Sequence, residues 1–64
     1  MILCERDIDT DYEIKVEYDP MIGLQINVQD KTLGIIEWCK NTTDGKLAMD
    51  IYNHPYFYGF GLEQ

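Results

Sequence analysis

Hydrophobic and polar residues alternate along the first half of the chain. Residues 11–18 and 22–28 both follow a period of two, which is the side-chain period of a β-strand. Asp19-Pro20 lies between the two segments and is typical of a turn. We therefore predict a hairpin of these two strands, with a further strand in residues 1–8. The predicted apolar faces comprise Tyr12, Ile14, Val16 and Tyr18 in the first strand and Ile22, Leu24, Ile26 and Val28 in the second.

The next segment is ambiguous between strand and helix. Asp30-Lys31 indicates a second turn, and residues 32–40 then fit either a strand with a bulge near Gly34 or a short capped helix. Gly34 and the β-branched pair at positions 35–36 favour the strand, because both are poor helix formers.

Residues 46–53 carry a similar ambiguity. Asp44-Gly45 is typical of a hairpin turn, and Leu47, Met49 and Ile51 alternate after it. The same residues also fit two turns of helix that end before Pro55. The Asp-Gly turn favours the strand.

These segments predict a mainly β fold. We expect a small antiparallel sheet or meander of four to six short strands, with one short helix between residues 31 and 53 as an α+β alternative. The 64 residues form a single small acidic domain, 1–64, because a chain of this length builds one hydrophobic core at most.

Negative charge is concentrated in the N-terminal third. Twelve acids and five bases give a net charge of −7, and the odd positions from 5 to 19 are acidic except for Lys15. An extended strand would present these acids as one row, spaced about 6.6–6.8 Å apart. Such charges repel by roughly 0.6 kcal/mol in water, so the row is tolerable if it stays solvated. The predicted row comprises Glu5, Asp7, Asp9, Asp11, Glu13, Glu17 and Asp19.

The sign of the charge narrows the class of partner. A direct nucleic-acid binder needs a basic surface, and an anionic membrane would repel this chain. A basic protein surface is the natural partner for a row of carboxylates. The simpler interpretation is a solvated sheet face, with acids chosen for solubility and against edge aggregation.

The C-terminal segment is rich in aromatic residues. Tyr52, Tyr56, Phe57, Tyr58 and Phe60 fall within nine positions. They complete the core of so small a protein, either as a last edge strand or as a segment laid over the sheet. Rings that point outward would anchor an interface, and we take Tyr56, Phe57 and Tyr58 as candidate anchors.

Catalytic and metal chemistry have little support. The chain has no serine, and its only histidine, His54, has no cysteine or acid at a diagnostic spacing. Residues 7–14 resemble the opening of an EF-hand calcium loop, but Tyr12 and Tyr18 occupy the positions that require glycine and glutamate. We expect no enzyme activity, no cofactor and no dedicated metal site. Cys4 and Cys39 are expected to be free, buried thiols.

In size and acidity the chain resembles phage-encoded anti-restriction and anti-CRISPR inhibitors as a class. The resemblance implies a non-catalytic inhibitor that presents carboxylates, in place of nucleic-acid phosphates, to a basic nucleic-acid-binding protein. The alternatives are a small structural subunit that forms homo-oligomers through its sheet edges or aromatic tail, and a weak divalent-metal-binding module. No apolar segment suits membrane insertion or export, so we expect a cytoplasmic protein.

Overall fold

The computed structural model describes residues 1–61 and contains one four-stranded antiparallel sheet whose strands follow one another in chain order. A helix and a short 3-10 helix follow the sheet, so the predicted mainly β meander with one short helix is confirmed. The elements are β1 (Ile2–Asp7), β2 (Tyr12–Asp19), β3 (Gly23–Asp30), β4 (Ile36–Thr42), α1 (Gly45–Asn53) and the 3-10 helix (Pro55–Tyr58).

The predicted central hairpin is confirmed, and the middle of its predicted apolar face forms the core, whereas Tyr18 and Ile22 are exposed beside the β2–β3 turn and Ile22 lies outside β3. β2 and β3 pair in register from Tyr12–Asp30 to Asp19–Gly23, which places Ile14 opposite Val28 and Val16 opposite Ile26. Because side chains alternate across a strand, these four apolar groups share one face, and α1 packs on that face. The buried core consists of Ile14, Val16, Ile26, Val28, Trp38, Ala48, Ile51, Tyr52 and Phe60.

The segment 32–40 is a turn followed by a strand, as its β-branched residues indicated. The Asp30 carboxylate accepts hydrogen bonds from the backbone N–H groups of Thr32 and Leu33, both at 2.8 Å. Gly34 has a φ of 74°, which favours glycine, and it closes the turn rather than forming a bulge. The irregularity in pairing lies further on, where the register of β3 with β4 shifts between Val28 and Gln29.

The predicted strand at 46–53 is wrong, because residues 45–53 form α1. The Asp44 carboxylate caps the helix, accepting hydrogen bonds from the N–H groups of Lys46 at 2.9 Å and Leu47 at 3.3 Å. Asp44-Gly45 is therefore a helix start and not a hairpin turn. The buried residues are Ala48, Ile51 and Tyr52, a helical spacing that the alternation of Leu47, Met49 and Ile51 concealed.

The aromatic tail is laid over the sheet and does not form an edge strand in the described residues. After the 3-10 helix, Phe60 packs its ring against Tyr12 at 5.5 Å and Trp38 at 6.0 Å between centroids. This contact extends the cover of the apolar face beyond the end of α1. Leu62, which the tail was also expected to contain, lies outside the described residues.

The longest helix in residues 1–61 is α1, whose nine residues are too few to span a lipid bilayer.

We expect Asp44→Ala to lower the free energy of unfolding by about 1 kcal/mol, because two N–H groups of the first helical turn lose their acceptor. In a domain of this size the loss corresponds to a fall of about 4–8 °C in melting temperature, measurable by circular dichroism. Asp11→Ala is the matched control, since its exposed carboxylate accepts no hydrogen bond within residues 1–61. Equal melting temperatures for the two variants would contradict the capping role.

Candidate functional site

Within residues 1–61, one face of the sheet has no helix over it, and we call it the open face. α1 packs on the face that contains Ile14 and Val28, so the alternate residues of each strand point away from the helix. The strand pairing aligns Glu5, Lys15, Asn27 and Cys39 in one row across all four strands. The open face comprises the polar residues and cysteine Glu5, Asp7, Glu13, Lys15, Glu17, Asp19, Gln25, Asn27, Gln29, Cys39 and Asn41, with the apolar Ile2 and Ile36 on the edge strands, where they pair with Glu17 and Gln29.

The open face is strongly acidic, and its carboxylates lie on neighbouring strands. β1 and β2 contribute five acids and one base to it. Lys15 pairs with Glu13 at 3.3 Å, and Lys31 reaches from the next turn to Asp7 at 3.0 Å. Glu5 has no ion pair or hydrogen bond to its carboxylate within residues 1–61. A negative surface therefore remains after these local pairs are counted.

Asn27 lies under the acids at the centre of the open face. It is only 1% exposed although no helix in residues 1–61 covers it. Its Nδ2 donates a hydrogen bond of 2.9 Å to Oε2 of Glu17. This bond holds the Glu17 carboxylate at the surface of the sheet and satisfies a buried amide, which would otherwise destabilise the fold.

The acids do not form one continuous row, contrary to the prediction. The chain reverses between β1 and β2, so Asp9 and Asp11 lie in the turn while Asp7 faces Glu13 across the two strands. The Asp9 carboxylate accepts hydrogen bonds from the N–H groups of Asp11 at 2.8 Å and Tyr12 at 3.0 Å, which fixes the turn. The result is a compact patch on two strands, with opposite side chains about 5 Å apart.

Asp19, the last acid of the predicted row, lies where β2 ends. Its Oδ1 accepts a hydrogen bond of 2.7 Å from the N–H group of Met21 and so stabilises the β2–β3 turn. Asp9 and Asp19 are therefore turn-forming residues as well as charged ones. Their substitution would change the backbone together with the surface charge.

The three candidate aromatic anchors lie on the helix side of the sheet and do not share the open face. Phe57 is 83% exposed and Tyr56 is 56% exposed, so both rings are available to a partner. Tyr58 is half-buried, and its hydroxyl donates a hydrogen bond to the Asp50 carboxylate. This bond is the main reason that the pKa of the Tyr58 phenol is raised above 10.0.

His54 ends α1 and belongs to the same corner of the molecule. Its Nδ1 lies 3.4 Å from Oδ1 of Asp50, and its ring stacks on Phe57 with centroids 5.5 Å apart. The Asp50 carboxylate thus contacts both His54 and Tyr58. The histidine is a residue of the helix end, as its position before Pro55 indicated.

Neither cysteine is disulfide-bonded. Cys4 is half-buried and packs against the core, whereas Cys39 is exposed on the open face, so the expectation that both are buried is wrong for Cys39. β4 is an edge strand and its open-face side chains have neighbours on one side only. Within residues 1–61, no three His, Cys, Asp or Glu side chains are grouped to hold a metal ion.

Sequence reasoning missed Arg6, whose even position sets it apart from the flanking acids. It lies on the helix side of β1 and donates a hydrogen bond of 2.6 Å from its guanidinium to the Tyr52 carbonyl oxygen. Its guanidinium carbon lies 5.0 Å from the centre of the Tyr52 ring. A groove of about 350 Å³ runs beside it, lined also by Ile8, His54 and Phe57 among others. The period of two was the signal that could have separated Arg6 from the acidic face.

No family model, curated protein or solved structure matches this chain.

We expect the free energy of unfolding to fall above about pH 10, and to fall less steeply in Tyr58→Phe. The hydrogen bond to Asp50 raises the pKa of Tyr58 in the folded state. Because the pKa of the Tyr58 phenol is higher in the folded chain than in the unfolded chain, the protonated phenol stabilises the fold at a pH below its pKa in the unfolded chain. This stabilisation is lost as the pH rises through the pKa of the phenol in the folded chain. Urea denaturation between pH 7 and 11 measures the slope.

The matched control for this measurement is Tyr56→Phe, because the Tyr56 hydroxyl has no hydrogen bond within residues 1–61. This variant should keep the alkaline slope of the original chain, because the hydrogen bond between Tyr58 and Asp50 remains intact in it. An unchanged slope in Tyr58→Phe would contradict the coupling between Tyr58 and Asp50.

Proposed function

We propose that this chain is a non-catalytic acidic binding protein that places its open face on a basic surface of another protein. The observation that carries the proposal is the segregation of charge on the sheet. Five of the acids on β1 and β2 lie on the face that no helix covers, while the opposite face supplies the core. Acids placed for solubility alone could be distributed over the whole surface.

The sharper form of the proposal is an inhibitor of a nucleic-acid-binding protein. Grooves built for nucleic acid present Lys and Arg to a closely spaced series of phosphates. The patch offers carboxylates about 5 Å apart across strands and about 6.6–6.8 Å apart along them. It thus offers several anionic groups to one basic groove at the same time, although it does not imitate a single straight phosphate strand.

A binding role also suits the positions of the reactive side chains. Cys39 lies on the open face, whereas His54 lies at the end of α1 on the other side of the sheet. The two therefore do not form a nucleophile–base pair. The free thiols support the cytoplasmic location that we include in the proposal.

Self-association through the sheet edges is less well supported than binding to a basic protein. Each edge strand carries an irregularity in pairing, between Ile2 and Cys4 on β1 and opposite Val28–Gln29 on β4. Each also carries a cation on the helix side of the sheet, Arg6 on β1 and Lys40 on β4. Bulges and inward-facing charges are the devices that prevent edge-to-edge pairing.

We expect the double substitution Glu5→Gln and Glu17→Gln to abolish capture of the partner from a lysate of the native host. Glutamine keeps the length of each side chain and leaves an oxygen to accept from Asn27. Capture should also weaken steeply as salt rises and be competed by duplex DNA, because the partner's basic groove accepts either ligand. Mass spectrometry of the captured proteins measures all three effects.

The matched control is Asp11→Asn with Asp50→Asn, which removes the same number of charges from the β1–β2 turn and from α1, outside the open face. The Asp11 carboxylate has no hydrogen bond or ion pair within residues 1–61, and the amide oxygen introduced by Asp50→Asn can still accept from the Tyr58 hydroxyl. Equal loss of capture in both double variants would show that net charge alone acts. Capture that persists in the open-face variant, or that DNA does not compete, would contradict the proposal.

A further inference from the structure

We propose that the groove beside Arg6 binds a small carboxylate carried on an aromatic or branched apolar body. We call this the Arg6 groove, defined by Arg6, Ile8, His54, Pro55, Tyr56 and Phe57. It lies where the end of β1 meets the corner between α1 and the 3-10 helix. It is separate from the open face and does not depend on the function proposed above.

The first reason is an arginine without a carboxylate partner in a chain that is rich in acids. Arg6 is the only arginine, and its sequence neighbours Glu5 and Asp7 point to the opposite face of the sheet. No ion pair in residues 1–61 includes it. The half-buried guanidinium faces a groove and is therefore available to bind an anion from solution.

The second reason is that Arg6 is already held in place. The Tyr52 carbonyl accepts one of its N–H groups at 2.6 Å, and the Asp7 carbonyl accepts another at 3.5 Å. The guanidinium carbon also lies over the face of the Tyr52 ring, 5.0 Å from its centre. The guanidinium has more N–H donors than these bonds use, and its planar fork matches a carboxylate. Little rotamer freedom remains to be lost on binding.

The third reason is the exposed apolar surface on the other side of the groove. Phe57 is 83% exposed and is held by stacking on His54, while Tyr56 is 56% exposed and packs on Phe60 at 5.1 Å between centroids. An apolar body that covers Phe57 would remove this ring from water, which stabilises the complex. The volume of about 350 Å³ suits a ligand of one or two rings.

Charge decides between the anions that such an arginine accepts. The chain carries a net charge of −7, which opposes the approach of any anion, and a dianionic phosphate more than a monoanion. Arg6 supplies the guanidinium of the groove, and the His54 imidazole, which also lines it, lies 3.4 Å from the Asp50 carboxylate. A singly charged carboxylate can accept two hydrogen bonds from the Arg6 guanidinium and is repelled least by the rest of the chain.

We expect phenylacetate to shift the amide NMR signals of residues 6–8 and 53–57 in a saturable way at pH 7. The neutral isostere 2-phenylethanol and inorganic phosphate should bind at least about tenfold more weakly, because each lacks one of the two recognised features. Raising the salt concentration to about 0.15 M should weaken capture by the open face but not the binding of phenylacetate. Salt screens the attraction of phenylacetate to Arg6, but it also screens the repulsion of phenylacetate by the acidic chain.

Three variants complete the test. Arg6→Gln should weaken phenylacetate binding at least about tenfold. The matched control Lys40→Gln removes a cation from the corresponding side of the other edge strand and should have no effect. Phe57→Ala changes an exposed ring and cannot unfold the chain through loss of core, and it should weaken binding about threefold to tenfold.

Equal binding of phenylacetate and 2-phenylethanol would overturn the inference, as would shifts that map to the open face. Phenylacetate binding unchanged in Phe57→Ala would also overturn it, even if Arg6→Gln failed to fold.

Discussion

One short helix has to cover the apolar face of a four-stranded sheet, and most other features of the molecule follow from this constraint. A helix of nine residues spans about 13.5 Å, whereas strands of eight residues span about 26 Å. The helix therefore covers only part of one face, and Phe60 extends the cover by packing on Tyr12 and Trp38. Among the described residues, no further element remains for the other face. That face has to be stable in water, and its polar and acidic side chains meet this requirement.

The count of acidic residues overstates the charge that is free to act on a partner. Asp9, Asp19, Asp30 and Asp44 each accept backbone N–H groups in a turn or at the start of α1. These acids determine where the chain reverses and where the helix begins. On the open face, Glu5, Asp7, Glu13 and Glu17 accept no backbone N–H group within residues 1–61 and remain to face a partner. The same residue type thus shapes the fold in the loops and the surface potential on the strands.

The sheet of this 64-residue chain separates a surface rich in carboxylates from the helix side, which carries the guanidinium of Arg6. Side-chain alternation sends Glu5 and Asp7 to the open face and Arg6 to the helix side. Arg6 can remain without a carboxylate partner because the backbone of β1 stands between it and its acidic neighbours. Strand geometry therefore separates the acidic open face from the Arg6 groove within one small domain.

The amino-acid sequence was sufficient to predict the central hairpin, because the alternation in residues 11–18 and 22–28 reports which side chains can share a buried face. It also determined the turns at Asp19-Pro20 and Asp30, whose short polar side chains bond to nearby backbone. Local pattern could not settle residues 46–53, because Ala48, Ile51 and Tyr52 fit a helix while Leu47, Met49 and Ile51 fit a strand. Packing decided this: the sheet needed a cover with a helical period, and the Asp44 cap could start it. The acidic open face and the Arg6 groove likewise depend on the tertiary structure. The pairing of β1 with β2 divides the acids between two neighbouring strands, and the packing of α1 on the sheet brings residues 6–8 beside residues 53–57.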